Sequence, residues 1–272
     1  DKEALEAVMT EVKRAGEFGF TATEINRASE EFLSGIETIY NNREKQQNSF
    51  YVPQYVRHFL ENDPIPSVED EYNTYKVLAQ QMGQMQMTAP AASDLFKELT
   101  ARTDTNFVCL AMYPDKEGVT VPTADQFKQA IAAAKAAKVE AYVDNVKNEP
   151  LVPVLPKKGK IAKETQTDFG YTCWTLPNGA RFLYKKTDYN DSEVQFAATS
   201  FGGNNSIITK DRINTKLLPT VMNSTGVGNF TSTELQKKLA GKQVSCSINL
   251  GNLTENIAGS ATPKDLRTLF EL

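Results

Sequence analysis

The sequence has one histidine, His58, and three widely separated cysteines, Cys109, Cys173 and Cys246. A metal site with two imidazole ligands is therefore impossible within this chain, and no Cys-x-x-C pair is present to hold zinc or to act as a redox couple. A histidine-activated nucleophile could be built only on His58. Because each cysteine lies in an apolar, strand-like context, we interpret all three as small buried hydrophobic residues.

Long apolar runs and an excess of positive charge are also missing. No window approaches the roughly 18 consecutive apolar residues of a membrane span. The formal net charge is −4, which argues against a nucleic-acid partner, because neutralising phosphates requires a concentrated basic surface. We therefore expect no membrane span and no nucleic-acid partner. A hydrophobic content of 40% and a charged content of 24% are typical of a globular protein.

The charge is distributed unevenly along the chain. Residues 1–156 carry 15 Lys and Arg against 24 Asp and Glu, a net charge of −9. Residues 157–272 carry 15 against 10, a net charge of +5. Two solvated surfaces of different composition would explain this reversal. A second interpretation is that the halves face each other, or an acidic substrate, across a cleft.

The first half of the chain has mainly helical periodicity. Helices are predicted from residue 2 to 15, after the capping box of Thr21 and Glu24, from 50 to 60, from Ser67 to about 82, from 88 to about 99, and from Thr123 to about 139. The run 106–112 is apolar without a period and is bounded by turn residues. It predicts one buried strand.

A new sheet is predicted to begin near Tyr171. Asn178 and Gly179 lie between two β-rich runs, which predicts a hairpin with a type I′ turn. The predicted elements are strands at 171–176, 180–187 and 193–200, a helix at 210–222, another from Thr231, a hairpin across Gly251 and Asn252, and a last helix from Pro263. The fold class is therefore α+β, with an antiparallel or mixed sheet covered by helices and a helix-rich first domain.

A length of 272 residues suits two domains. Three prolines at 150–156, followed by a lysine cluster, indicate a linker between them. The predicted organisation is a helix-rich domain at 1–145, a linker at 146–168 and an α+β domain at 169–272.

Two local patterns could carry chemistry. His58 and Glu61 match part of the inverted zinc motif His-x-x-Glu-His, but Asn62 stands where the second histidine is required. We therefore interpret His58 as an ordinary structural or surface histidine. Gly226 and Gly228 precede a helix, but without a third glycine they are a weak signal for phosphate binding.

The order of several motifs resembles the pitrilysin/insulinase family of zinc metallopeptidases. The motifs are Leu176-Pro177-Asn178-Gly179 with Arg181, a strand ending in Ser200-Phe201-Gly202-Gly203, the run Gly226-Val227-Gly228-Asn229-Phe230-Thr231-Ser232-Thr233-Glu234-Leu235, the run Leu239-Ala240-Gly241-Lys242, and upstream His58-Phe59-Leu60-Glu61 with Pro64-Ile65-Pro66. Each motif alone is loose, whereas their order is specific. Together they cover almost the whole chain.

The resemblance implies two domains of the metallopeptidase and processing-peptidase type, from a protein whose four similar α+β domains form two halves around an unfolded peptide. The chain would be an internal fragment with most of the second domain and the start of the degenerate third domain. In the catalytic domain of the family the zinc motif lies on the helix after the Gly-Gly strand. The corresponding segment here, 211–222, has no histidine and no glutamate. We therefore expect no catalytic, metal-binding or cofactor-binding residue in this chain.

The leading hypothesis is a non-catalytic internal portion of a zinc-dependent metalloendopeptidase, with zinc expected in the parent protein. Its partners would be a missing N-terminal catalytic domain, a missing C-terminal domain and a peptide substrate. The alternative is a catalytically inactive homologue that acts as a structural or peptide-binding subunit. A third hypothesis is an unrelated helical domain fused to an α+β domain. Cysteine usage does not define the compartment, and the periplasm or cell envelope of a bacterium is the expected location.

Overall fold

The computed structural model describes residues 2–84, 88–101, 108–114, 116–207 and 211–272, without the side chain of Arg212. The helices are α1 (Lys2–Phe18), α2 (Ala22–Asn41), α3 (Asn48–Glu61), α4 (Val68–Gln84), α5 (Thr88–Ala101), α6 (Ala124–Ala136), α7 (Arg212–Ser224), α8 (Ser232–Leu239) and α9 (Leu266–Glu271). The strands are β1 (Lys163–Gln166), β2 (Thr172–Thr175), β3 (Arg181–Tyr184), β4 (Val194–Phe201), β5 (Val244–Leu250) and β6 (Thr254–Ala261). These helices and antiparallel sheets confirm the predicted α+β class.

The chain divides into two compact units. The first consists of Asp1–Leu33 and Asn73–Asn145, and the second of Ser34–Tyr72 and Val146–Leu272. In both this division and the predicted one, a unit ends at residue 145. They differ in segment 34–72, which the sequence places with the helix-rich domain. The unit limits fall inside α2 and α4.

Helix α1 organises the first unit by packing against α5 and α6. Just after α1, the ring of Phe20 meets that of Phe96 edge to face, with centroids 5.2 Å apart. The side chain of Lys13 donates hydrogen bonds to the carbonyl groups of Lys135 and Ala137, at 2.7 Å each. The end of α6 is therefore fixed to α1 by carbonyl groups that would otherwise lack a partner at a helix C-terminus.

A largely buried ion pair holds the end of this unit to α2. The guanidinium of Arg27 lies 2.6 Å from the carboxylate of Asp144, and the two side chains are 19% and 3% exposed. Thr23 donates a second hydrogen bond to the same carboxylate oxygen. The hydrogen bond to Asp144 raises the pKa of Arg27 above its ordinary value. Segment 138–145 has no regular secondary structure, so this pair is a main point of attachment.

Three helices begin as the sequence predicts. In the capping box of α2, the Glu24 amide lies 3.3 Å from the Thr21 hydroxyl, and the Thr21 amide donates to the Glu24 carboxylate at 2.9 Å. Complete capping boxes also open α6 at Thr123 and α8 at Thr231. Each box satisfies two backbone donors locally, which is why it can be predicted from four residues.

The prediction of a buried strand at 106–112 is wrong for residues 108–112. Residues 106 and 107 lie outside the described residues. Residues 108–112 have no regular structure, and Val108 is 86% exposed. Cys109 is exposed as well, and so is Cys246 in β5, whereas Cys173 is buried as predicted. Apolar composition alone supplies no pairing partner for a strand, and among the described residues none is present here.

Two three-stranded antiparallel sheets form in the second unit. The first has the order β1-β2-β3 and the second the order β4-β6-β5. Strand β1 lies within the predicted linker, where Lys163 to Gln166 pair with β2. In the second sheet the apolar face is covered partly by α9. There Phe196 meets Phe270 edge to face at 5.4 Å, and Leu269 is buried.

The β2–β3 hairpin is confirmed, but its turn is not of type I′. Asn178 does not have a positive φ, whereas Gly179 has φ +85°. The amide of Gly179 donates to the carbonyl of Leu176, and the amide of Leu176 donates to the carbonyl of Ala180. This is a three-residue loop, in which the ring of Pro177 fixes a negative φ suited to the first central position of an ordinary turn. The positive φ needed to close the loop therefore falls on Gly179 alone.

The Arg27–Asp144 pair provides a test of the first unit. Replacing Arg27 with Met should lower the free energy of unfolding by about 3 kcal/mol, because the Asp144 carboxylate stays buried without its counter-ion. Chemical denaturation monitored by circular dichroism measures this loss. The matched control is Arg57→Met, since Arg57 is exposed and should contribute less than about 0.5 kcal/mol. Equal stability of the two variants would contradict this role of the pair.

Candidate functional site

The end of β4 is where the resemblance places the start of a catalytic helix. Gly202 and Gly203 run against the turn between β5 and β6. The amide of Gly202 donates to the carbonyl of Leu253 at 3.0 Å, and the amide of Asn204 donates to the carbonyl of Gly251 at 2.9 Å. Gly203 is buried with φ +74°. A Cβ atom at this position would lie 2.6 to 2.9 Å from three backbone atoms of residues 251–254, so only glycine fits.

Helix α7 follows this passage. Thr215 is buried, whereas Ile213 and Leu217 are largely exposed. Near the C-terminus of α7, the side-chain amide of Asn223 forms two hydrogen bonds to the backbone of Ile248, each 2.9 Å long. The amide nitrogen donates to the Ile248 carbonyl, and the amide oxygen accepts from the Ile248 N–H. Asn223 thus imitates a peptide group of a neighbouring strand at the outer edge of β5.

The residues of this region do not fit a zinc site. From Asp211 to Ser224 there is no histidine and no glutamate, so α7 lacks the ligands and the base of the family motif. Among the described residues, no group of three or more His, Cys, Asp or Glu side chains could hold a metal ion. That the chain has no metal-binding residue stays a prediction, and no catalytic step can be assigned to α7.

His58 is exposed near the C-terminus of α3. Its Nδ1 atom lies 2.6 Å from the carbonyl oxygen of Asp63. The position expected for a second histidine is Asn62, which ends α3 in the left-handed conformation with φ 61°. His58 and Glu61 are thus part of a helix end, and this local hydrogen bond accounts for the histidine without a metal.

Residues from another part of the chain pack against the Gly226–Gly228 loop. The ammonium group of Lys147 donates to the carbonyl of Asn229 at 2.5 Å and lies 5.3 Å from the ring centroid of Phe230. Phe230 is 3% exposed, and Leu151 is buried. The first residues of the predicted linker are therefore attached to this loop rather than free in solvent.

The helix N-terminus beyond this loop already holds an anion. The amide and the hydroxyl of Thr231 donate to the Glu234 carboxylate at 2.8 and 2.9 Å. Both hydrogen bonds lower the pKa of Glu234, and the bond from the backbone amide has the larger effect. A phosphate group would have to displace this carboxylate, so the structure does not favour the phosphate-binding interpretation of Gly226 and Gly228.

One face of the β4-β6-β5 sheet carries small and polar side chains. Because side chains alternate along a strand, the paired registers place these residues on the same face. They are Gln195, Ala197 and Thr199 on β4, Ser245, Ser247 and Asn249 on β5, and Thr254, Asn256, Ala258 and Ser260 on β6. The exposed ring of Phe201 ends this face on β4. A shallow depression lies over part of this polar face. Sequence reasoning found these strands and not this shared surface.

The contacts of Asn223 and Lys147 were also missed by the sequence analysis. Asn223 ends an apolar helical pattern, and nothing nearby in the sequence indicates a bond to residue 248. Lys147 lies in a segment that reads as a solvated linker. Both contacts join positions that are distant in sequence, by 25 and 82 residues.

Two alanine variants can separate the steric requirement for glycine at position 203 from the cost of its positive φ. Gly203→Ala should lower the free energy of unfolding by about 3 kcal/mol or more, because a methyl group meets backbone atoms. Gly179→Ala is the control, since Gly179 has a similar φ and open space around its Cβ position. It should cost only about 1 kcal/mol of backbone strain. Similar costs in urea denaturation would rule out the close packing.

The two hydrogen bonds between Asn223 and Ile248, which we call the Asn223 bridge, predict that a substitution changes both stability and self-association. Asn223→Ala should cost about 1–2 kcal/mol, since two hydrogen bonds at a largely exposed site are lost. It should also increase self-association, because the edge of β5 becomes available for pairing. Urea denaturation and size-exclusion chromatography measure these effects. Asn249→Ala, on the neighbouring exposed position of β5, should change neither, and identical behaviour of the two variants would disprove the bridge.

Comparisons with known proteins add a relationship to this geometry. No model of a known protein family matches the chain. The chain is 26% identical over 253 residues to "Zinc protease PQQL-like" of Arabidopsis thaliana, covering 90% of this chain and 25% of that protein. It is 22% identical over 276 residues to "Probable zinc protease PqqL" of Escherichia coli K12, covering 100% of this chain and 28% of that protein. The chain thus spans about a quarter of the length of these relatives.

A solved structure is also similar. The crystal structure of the periplasmic protease PqqL from Escherichia coli matches 98% of this chain and 29% of its own, with 19% identity and a TM-score of 0.44. The sequence relationship to zinc proteases is what confirms the predicted resemblance. The chain is similar over most of its length to zinc proteases of the PqqL type.

Proposed function

We propose that the chain is a non-catalytic portion of a zinc-dependent metalloendopeptidase whose two halves enclose a peptide. In this proposal residues 1–145 are the C-terminal domain of the first half, 146–168 the linker, and 169–272 the start of the non-catalytic second half. The segment contributes chamber wall and hinge. Zinc and the catalytic base come from a domain outside the chain.

The observation that carries this proposal is the composition of α7. Strand β4, the Gly202–Gly203 passage and α7 follow one another in the order that the resemblance requires. The helix in the catalytic position nevertheless offers no ligand and no base. The framework of the domain is therefore kept while its chemistry is absent, which is the expectation for a degenerate copy.

The polar face of the β4-β6-β5 sheet supports a role as chamber wall. Its hydroxyl and amide groups can exchange hydrogen bonds with an unfolded peptide in many registers. Its small side chains leave the sheet accessible and make no deep pocket that would select one side chain. A surface of this kind suits the enclosure of varied peptides better than the recognition of a single ligand.

A catalytically inactive homologue, acting as a structural or peptide-binding subunit, is the second candidate. The same polar face favours it, because peptide contact there requires no catalytic group. The two candidates differ in the sequence of the parent protein. The proposed function requires the motif His-x-x-Glu-His about one domain upstream of residue 1. If the parent protein lacks this motif, the role as an inactive structural or peptide-binding subunit is the correct one.

The location in a bacterial periplasm or cell envelope stays a prediction. The name of the Escherichia coli structure describes that relative as periplasmic. None of the described helices has the length and apolar character of a membrane span. Fractionation of cells that express the tagged parent protein would test the location directly.

Metal content tests the proposed absence of a catalytic centre. After incubation with zinc and desalting, the purified chain should retain no stoichiometric metal by mass spectrometry and should cleave no unfolded peptide. His58→Ala is the control, because any weak zinc uptake by the exposed imidazole should disappear in this variant. One chelator-sensitive zinc per chain that survives His58→Ala would overturn the proposal.

A further inference from the structure

Five exposed cations lie around the start of the β1-β2-β3 sheet. This basic cluster consists of Lys157, Lys158, Lys160, Lys163 and Arg181. Among the residues that the structure describes, none of these five side chains has an ion pair or a hydrogen bond. The protein as a whole carries a net charge of −4, so the cluster is a local surplus of positive charge and not a reflection of the average composition.

Three lysines elsewhere in the second unit are paired with carboxylates. Lys45 lies 2.8 Å from the carboxylate of Asp191, Lys242 lies 3.6 Å from that of Asp265, and Lys264 contacts Glu37. The basic cluster differs from these because its charges remain unpaired. Unpaired positive charge attracts an anionic partner, which would bind here favourably.

The sheet fixes two of the cations on the same face. Lys163 and Arg181 both pair with Thr175, one from each side, so their Cα atoms lie about 10 Å apart. The next acidic residue, Glu164, points to the opposite face, because successive side chains alternate. There its carboxylate accepts a hydrogen bond from the indole N–H of Trp174 at 2.7 Å. Glu164 therefore does not neutralise Lys163.

Two further features point to a polypeptide partner. Strand β1 is at the edge of its sheet, so its outer N–H and C=O groups can pair with an added strand. Val154, Leu155 and Ile161 are exposed beside the lysines. A nucleic acid or a lipid headgroup can neutralise the cations, but neither completes a strand edge.

We propose that the basic cluster and the adjoining free edge of β1 form a docking site for an extended, acidic stretch of a polypeptide with interspersed apolar side chains. Residues 157–163 span at most about 25 Å, which matches a segment of about seven residues in extended conformation. The site lies outside α7 and needs no catalytic group. It would exist in a protease and in a structural subunit alike, so it does not rest on the proposed function.

The first experiment measures binding by fluorescence anisotropy with the purified chain. The probe is a labelled octapeptide of alternating Glu and Val, and the comparison peptides replace Glu by Lys or by Ser. The acidic peptide should bind, the other two should not, and about 0.3 M salt should weaken binding at least about tenfold, since exposed charges are screened. No binding of the acidic peptide would overturn the proposal.

Charge-reversal variants then locate the site. Lys160→Glu, Lys163→Glu and Arg181→Glu, combined, should raise the Kd at least about tenfold through like-charge repulsion. The matched control combines Lys97→Glu, Lys116→Glu and Lys138→Glu, three exposed lysines of the first unit, and should change the Kd less than about twofold. Equal effects would mean non-specific attraction and would overturn the site. If the first triple variant does not fold by circular dichroism, alanine at the same positions takes its place.

Two other roles of the basic cluster would give different results in these binding experiments. Tighter binding of a twelve-nucleotide single strand, or of phosphatidylglycerol vesicles, than of the acidic peptide would overturn the choice of a polypeptide. Lysines at a strand edge can also serve only to prevent association between sheets. In that case the charge-reversal variant would keep the acidic peptide's affinity unchanged, and the alanine variant would self-associate in size-exclusion chromatography.

Discussion

The close approach of Gly203 to the turn between β5 and β6 is the constraint on which the second unit depends. It places the end of β4 against the backbone of the hairpin turn between β5 and β6. A side chain at this position would push the hairpin away from β4, although β6 pairs with β4 along its whole length. The glycine that marks the motif in the sequence is thus explained by a contact between two backbones.

This constraint and the alternation of the strands together define the two surfaces of the sheet. Once the register between β4 and β6 is set, apolar side chains such as Phe196 face α9, and the serine and amide side chains face outward. A shift by one residue would exchange the two faces. The polar face on which the proposed chamber wall rests is therefore a consequence of the same register that buries the apolar residues.

Local signals allowed much of this fold to be predicted, and long-range contacts account for what was missed. The capping boxes at Thr21, Thr123 and Thr231 involve residues three positions apart, so the sequence alone reveals them. The turn at Asn178 and Gly179 was assigned the wrong type because Pro177 shifts the positive φ to one residue. The Asn223 bridge and the attachment of Lys147 depend on partners that only the folded chain brings near. For the candidate site, the missing ligands of α7 could be read directly, whereas the polar face and the unpaired basic cluster could not.

The Asn223 bridge also makes the sheet edge dependent on the chemical integrity of one amide. Slow deamidation would turn Asn223 into aspartate and replace the donating nitrogen by a second oxygen acceptor. That oxygen would face the carbonyl of Ile248, and two acceptors at hydrogen-bond distance repel each other. Ageing of a single side chain would then expose the edge of β5, although the apolar core contains no changed residue.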